Sequence, residues 1–449
     1  MATRHSPSLR AFFASVKLAL LLLFFLAVTS IIGTIVPQNS SSAFYIDKFG
    51  AKTAHLIEVL QISDMYNAWW FLGLLTLFAI NLVVCSLERI PKVVRLLQRD
   101  NLAITPEKLM RMRPAKTVQM SGDLKTTGQH VQDLLKKNGW KPLMRSDDSS
   151  VLFFAEKGGW TRFGVYIVHL SILVIFLGAL AGSPSLARLL HMPGFAFKGS
   201  IMLPETRQTD FIFAADSGKK IDLGFTVKCE AFTIDYYANG MPKSYLSKVT
   251  VFHGETAQLH ADITVNNPLT YKGVTFYQAS YEPHSEFILT IENTTSKTTA
   301  RAEMPVARKL TWKEEDLQFG IINVESASKV ASKVKLWFND GKGAPSTLWV
   351  KVGEETLVQG SGVTYRIRIK QMYSTGLQAA KDPGVPLVYF GCALMLFGLY
   401  VAFFLSHQKI FAKVTASTDD SQVFVAGTSN KNKTGFAKTF KKFTDSLES

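Results

Sequence analysis

The stretch from Phe163 to Gly182, FGVYIVHLSILVIFLGALAG, decides how this chain folds. It supplies the ~20 predominantly apolar residues that an α-helix needs to cross a bilayer core. One ionisable side chain, His169, lies well inside it, roughly 10 Å along the helix from its polar-flanked start at about 1.5 Å per residue. Three further stretches are of comparable length and apolarity: Leu18 to Val36, Trp69 to Leu87 and Pro386 to Leu405. The third and fourth runs are separated by about 200 residues without another. The expected architecture is therefore an α-helical membrane protein with four transmembrane helices, a large β domain and a small α/β unit.

The first run follows Arg4, Arg10 and Lys17, as a signal peptide would. Its apolar stretch exceeds the roughly 7–15 residues of a signal h-region, and it ends in Gly33-Thr34-Ile35-Val36-Pro37-Gln38 instead of a small-residue cleavage site, so a retained anchor is expected. The formal charge of +15 is carried beside the apolar runs, not in a stripe interleaved with aromatics, which argues against nucleic acid. Arg4 and Arg10 precede the first run; Arg89, Lys92, Arg95, Arg99, Lys108, Arg111, Arg113 and Lys116 follow the second; Lys409 and Lys413 follow the fourth. The positive-inside rule then places both termini and residues 89–162 in the cytoplasm and everything from about 184 to 385 outside. Trp69, Trp70, Trp160 and Tyr166 sit near run ends, where amphipathic rings favour the headgroup layer.

These boundaries divide the chain into an N-terminal segment with the first span (1–36), an outer loop (37–68), the second span (69–88) and a cytoplasmic segment (89–162). The third span (163–183), an outer β-rich domain (184–385), the fourth span (386–405) and a cytoplasmic tail (406–449) complete it. Within 89–162, Lys116 to Met120 and Val151 to Ala155 read as strands around an amphipathic Gly128 to Asn138 with Val131, Leu134 and Leu135 on one face. The outer segment alternates β-branched and aromatic runs (Phe225 to Val227, Ser247 to Phe252, Val274 to Tyr277, Phe287 to Ile291, Tyr365 to Ile369) with turns such as Asn239-Gly240, Asn267-Pro268 and Lys272-Gly273. A mostly antiparallel sandwich or open barrel is expected. Residues 415–449, rich in Ser, Thr, Asn and Lys, read as flexible and solvated, with a short basic amphipathic helix at Phe436 to Phe443 against the inner leaflet.

Of three cysteines, Cys85 and Cys392 lie in apolar runs and Cys229 is alone in the outer segment, so no disulfide framework can form there. The absence of CxxC and CxxCH excludes a thioredoxin-like carrier and a c-type cytochrome. No phosphate loop, GxSxG or carboxylate pair tied to a nucleophile occurs, so no catalytic residue is assigned. An ionisable group in a span is a functional candidate by default. His169 has small neighbours, Gly164, Ser171, Gly178, Ala179, Ala181 and Gly182, that let another helix or a flat macrocycle approach. Two readings stand for it: an axial ligand to haem iron, or an imidazole bonded to a neighbouring helix. Because the other spans hold no histidine at that depth, a second axial ligand would come from another polypeptide. His191 and His407 read as interfacial residues, and Asn81 as a bond across helices.

The order of these segments, together with local motifs, resembles the ResB family of cytochrome c biogenesis proteins, the CcsB half of fused CcsBA proteins. The resemblance is carried by Gly33 to Gln38, Asp64-Met65-Tyr66, Trp69-Trp70-Phe71, Asn81-Leu82 and Cys85, then Glu156-Lys157-Gly158, Gly164, His169 and Gly178. It continues through Leu223-Gly224-Phe225, Cys229, Phe232, Tyr236-Tyr237, Asn239-Gly240, Pro242-Lys243, Tyr245, Ser247, Val265-Asn266, Pro268-Leu269, Tyr271, Gly273 and Phe276 to Tyr281. Thr375 to Gln378, Asp382-Pro383-Gly384 and Ser406-His407 close the series. Residues 282–374 carry no matching motif. The resemblance implies the System II route, in which haem crosses the membrane and is joined to apocytochrome c on the outer side. It implies a ResC/CcsA-type tryptophan-rich membrane partner, a thioredoxin-like thiol reductant and apocytochrome c. It makes this chain a non-catalytic subunit of a cytochrome c synthase complex in the cell inner (plasma) membrane or a thylakoid, its large domain periplasmic or lumenal. His169 matches the family's intramembrane histidine, a metal ligand to a transient haem shared with the partner. The alternative is a haem-free membrane scaffold that organises the partner and the apocytochrome. A membrane insertase would require several further helices after the outer domain.

Overall fold

The computed structural model describes residues 9–192, 194–215, 217–239, 241–327, 329–417 and 420–448. Arg4, His5 and the Gly240 of the Asn239-Gly240 turn lie outside them. Four helices are long and apolar enough to span a membrane: Val16–Ile35, Trp69–Leu97, Gly164–Ala181, entered through a 3₁₀ turn at Gly159–Phe163, and Val385–Phe404. The second runs on past its apolar part, through Pro91, as a basic extension. The chain forms two compact units, 1–177 with 387–449 and 178–386.

In the first unit, Leu22, Phe78 and Leu82 form a seam between the first two spanning helices, and Ile172, Leu173 and Phe176 of the third pack onto it. Asn81 is almost wholly buried here and donates from Nδ2 to the carbonyls of Phe13 and Ser15 at 2.6 and 3.1 Å. Those carbonyls sit at the break between the short helix Leu9–Phe13 and the first spanning helix, where Phe13 ends one helix and Ser15, which also accepts from the Ala19 amide, caps the next. The bond across helices expected of Asn81 is thus present, aimed at backbone.

The α/β unit corrects the sequence reading. Residues 115–157 alone would leave a sheet with open edges, but residues after the fourth spanning helix enter it. The five strands run in the order Ala115–Ser121, Asp420–Ser429, Gln408–Ala416, Ser150–Lys157, Pro142–Ser146, all antiparallel. Residues 415–449, expected to be flexible, therefore supply the strand Asp420–Ser429 and the end of Gln408–Ala416 inside that sheet. Side chains alternate across it as the strand period of two requires. Phe153, Ala155, Ile410, Ala412, Val414, Val423 and Val425 face the helices Leu124–Lys137 and Lys433–Glu448, while Phe154, Phe411 and Ala426 face Leu109 and its neighbours. The amphipathic helix at Phe436 likewise is not free for a leaflet: Phe436, Phe440, Phe443 and Leu447 are buried against the sheet. The strands carry apolar runs of their own, Ile410-Phe411-Ala412 and Val423-Phe424-Val425-Ala426, set between polar stretches rich in Ser, Thr, Asn and Lys.

The second unit is the expected large antiparallel β domain. Its main sheet runs Thr299–Pro305, Val274–Asn293, Thr364–Lys381, Phe197–Pro204, Gln208–Ala214, Lys220–Tyr236, Pro242–His253, Thr256–Ile263. One half packs face to face on a four-stranded sheet (Lys309–Trp312, Leu317–Ala327, Val330–Asn339, Ser346–Lys351) around Phe287, Leu289, Leu336, Val350 and Ile367. This is where the motif-free residues 282–374 go: they build a sandwich core. The other half curls on itself, so Ser247 reaches strands far from it in sheet order. Its Oγ lies 2.6 Å from Gln278 Oε1 and 2.8 Å from Thr375 Oγ1, all three buried. Buried Glu205 fixes the curl, accepting from the Phe232 and Tyr373 amides at 2.8 and 3.0 Å and pairing with Lys370 at 2.5 Å. A carboxylate out of water persists when its lone pairs are met in this way.

Candidate functional site

His169 sits in the third spanning helix, half-buried. Its Nδ1 lies 2.9 Å from Ser86 Oγ on the second spanning helix, and its ring meets Tyr166 edge-on with centroids 6.1 Å apart. Nε2 has no hydrogen-bond partner among the described residues. Arg89 follows Ser86 by about one turn on the second spanning helix. In the tautomer that carries its proton on Nδ1, the His169 ring donates to Ser86 Oγ, which fixes its orientation and leaves the Nε2 lone pair available. Such a group can coordinate a metal.

The small residues expected to admit a helix or a macrocycle have a definite use. Gly164 lies against the backbone of Ala402 in the fourth spanning helix, where a Cβ would come within 2.8 Å of the Ala402 nitrogen. Gly391 of the fourth helix lies against Ser171 and Ile175, and Gly398 against Ile167 and Val168. These positions form a helix-packing seam. At about 100° per residue, His169 is turned roughly 140° from Gly164 and 160° from Ser171. The imidazole therefore faces away from the seam, toward Ser86, and the helix reading of the small residues holds for Gly164 and Ser171.

His407 is more enclosed than its interfacial reading suggests. It is only 2% exposed, just beyond the fourth spanning helix. Nδ1 accepts from Arg162 Nε at 2.8 Å, Nε2 lies 2.9 Å from Glu156 Oε2, and its amide donates to Asn430 Oδ1 at 2.8 Å. Accepting from a guanidinium requires a bare Nδ1, so the ring is neutral and donates Nε2–H to Glu156. Burial pushes its pKa down, against the raising effect of Glu156. Gly158 makes this approach possible: its φ of +71° is left-handed, and a Cβ would lie 2.6 Å from the Ser406 carbonyl. The Glu156-Lys157-Gly158 and Ser406-His407 motifs are one structural node, a pairing across some 250 residues that no local pattern signals. His191, by contrast, is exposed.

Cys229 is fully buried in the β domain, and burial pushes its thiol pKa up to about 12. That excludes thiolate chemistry in the folded state. The motif residues Phe232, Tyr245 and Tyr281 gather with Tyr373 into a ring cluster, centroids 5.1–6.0 Å apart.

Four apolar helices and a large antiparallel β domain define a multi-helix membrane protein. The model of the ResB-like family matches residues 16–369 and 356–441, and the chain belongs to that family. Among its relatives are proteins named cytochrome c biogenesis protein CcsB. That of Nostoc sp. is 27% identical over 94% of this chain and 88% of its own length. That of Prochlorococcus marinus is 26% identical over 97% of each, and that of Gloeobacter violaceus 28% identical over 97% of this chain and 90% of its own.

Proposed function

We propose that this chain is a membrane subunit of cytochrome c biogenesis that holds haem through His169, together with a ResC/CcsA-type membrane partner that contributes the second axial ligand. Its ResB-like membership and its CcsB relatives support the biogenesis role. The observation that carries the haem assignment is an intramembrane imidazole whose Nδ1 is tied to Ser86 and whose Nε2 is open. Haem, when bound, supplies an iron that takes axial nitrogen ligands and two anionic propionates. Ser86 orients the ring, the apolar flanks of the second and third helices exclude water, and Arg89 offers positive charge about one turn from Ser86.

By the positive-inside rule, residues 184–385 stand on the periplasmic or lumenal side, and residues 89–162 and 406–449 in the cytoplasm. Apocytochrome c and a thioredoxin-like reductant are the remaining partners, and the chain is a non-catalytic subunit. The test is the absorption spectrum of the complex purified with its partner. His169→Ala is expected to lose most of the bound haem; an unchanged spectrum and occupancy would leave the haem-free scaffold as the better account. Cysteine labelling within 184–385 checks the sidedness independently.

A further inference from the structure

The His407 node lies among more cations than it needs. Arg162 uses only Nε on His407, and its two Nη groups have no partner among the described residues. Lys409, its side chain 13% exposed, donates to Asn101 Oδ1 at 2.9 Å and lies 3.7 Å from Glu156. Burial pushes the Lys409 ammonium pKa down, and Arg162 and Arg99 press it further the same way, against Glu156. Asp100 offers no relief, because Arg145 pairs with it at 2.9 Å. With His407 neutral, the node sets Arg162 and Lys409 against the single carboxylate of Glu156, an excess of one positive charge (two minus one); Arg99 follows Leu97, whose side chain meets Gly159 beside Glu156 and His407.

Their places in the chain say which anion is at hand. Arg99 lies two residues past the end of the second spanning helix, Arg162 two before the third, and Lys409 five past the fourth. Arg162 and Lys409 therefore occur where apolar helices give way to the folded α/β unit, and Arg99 follows the basic extension of the second helix. Trp160, 51% exposed beside Arg162, suits the headgroup layer. The anion concentrated at that depth is a lipid phosphate. A guanidinium with both Nη groups open can grip phosphate oxygens in bidentate fashion, with an ammonium as a neighbouring point charge.

We propose that Arg162, Lys409 and Arg99 form a binding site for the phosphate of an anionic phospholipid, which neutralises the node and fastens the α/β unit to the membrane surface. Basic pockets between the ends of spanning helices bind headgroups by the same physics.

The experiment uses the full chain in neutral detergent, with phosphatidylglycerol, phosphatidylcholine or inorganic phosphate added, read by native mass spectrometry and thermal melting. Wild type is expected to retain phosphatidylglycerol about tenfold better than phosphatidylcholine, with a matching rise in melting temperature. Arg162→Gln should abolish that preference. Since this variant also disturbs His407, Arg99→Gln is the cleaner arm: it leaves every bond of the node intact and should weaken the preference severalfold without changing the melt in phosphatidylcholine. Equal retention of the two lipids overturns the proposal, as does an undiminished preference in both variants. Full stabilisation by millimolar inorganic phosphate alone overturns the lipid assignment.

Discussion

His169 and His407 occupy the same unit of the molecule and have opposite surroundings. His169 has one hydroxyl partner, an open ring nitrogen and a partly exposed side chain. His407 has both ring nitrogens and its amide engaged, and almost no exposure. A saturated imidazole holds structure together, whereas an unsaturated one in an apolar helix is a candidate for binding a group outside the chain. Depth in a span and completeness of hydrogen bonding thus separate two histidines that composition treats alike.

The largest expected effect belongs to His169→Ala. Haem retained by the purified complex should fall at least about tenfold, while far-ultraviolet dichroism and the melting temperature stay near wild type, since only one modest hydrogen bond, about 1 kcal/mol, is lost. His407→Ala should do the reverse. Removing it leaves Arg162 and Glu156 without their shared partner and opens a cavity, at a cost of about 3 kcal/mol. Protein that does fold should keep its haem spectrum. If both variants behave alike in haem content and in melting, the contrast is broken.

A pH series sharpens the same comparison. The His407 pKa is lowered in the folded protein from its ordinary value of 6.5. The unfolded chain then binds more protons just below pH 6.5, so this contribution to stability is whole above 6.5 and declines as pH falls toward the lowered folded value. Melting temperature between pH 7.5 and 5 should therefore drop more steeply in wild type than in His407→Gln; parallel curves would remove His407 as the titrating group. Ser86→Ala should have a smaller effect, weakening haem retention a few-fold through loss of ring orientation. The smallest is a null result: Cys229, its thiol pushed up to about 12, should resist maleimide at pH 7.5 until denaturant is added.

Much of this was legible in the sequence because single-segment physics suffices for it. A run of apolar residues long enough to cross a bilayer has few other stable fates, so the four spans emerge within a residue or two, the second alone extending further through Pro91 to Leu97. Alternating β-branched segments likewise announce an antiparallel domain. His169 stood out because ionisable groups in apolar helices are rare. The role of Glu156 with Ser406 and His407 was not legible, since their adjacency follows from strand pairing between Ser150–Lys157 and Gln408–Ala416. The folded state of 415–449 differs from the expectation although Val423-Phe424-Val425-Ala426 is a strand-like run, because its sheet partners Ala115–Ser121 and Gln408–Ala416 are what give that run a buried face. Glu205 gave no signal either, because a buried acid is recognised by its donors, which lie on two distant strands.

By itself the sequence determined the spans, the β character of the long segment between the third and fourth, and the single intramembrane histidine, all properties of contiguous stretches governed by transfer from water and by backbone periodicity. Only the tertiary structure decided that the final segment completes the α/β sheet, that Gly164 and Ser171 serve helix packing while His169 faces Ser86, and that His407 is a saturated buried node. Those outcomes depend on which distant groups meet, and hydrogen bonds and close backbone approaches are set by that geometry, not by composition.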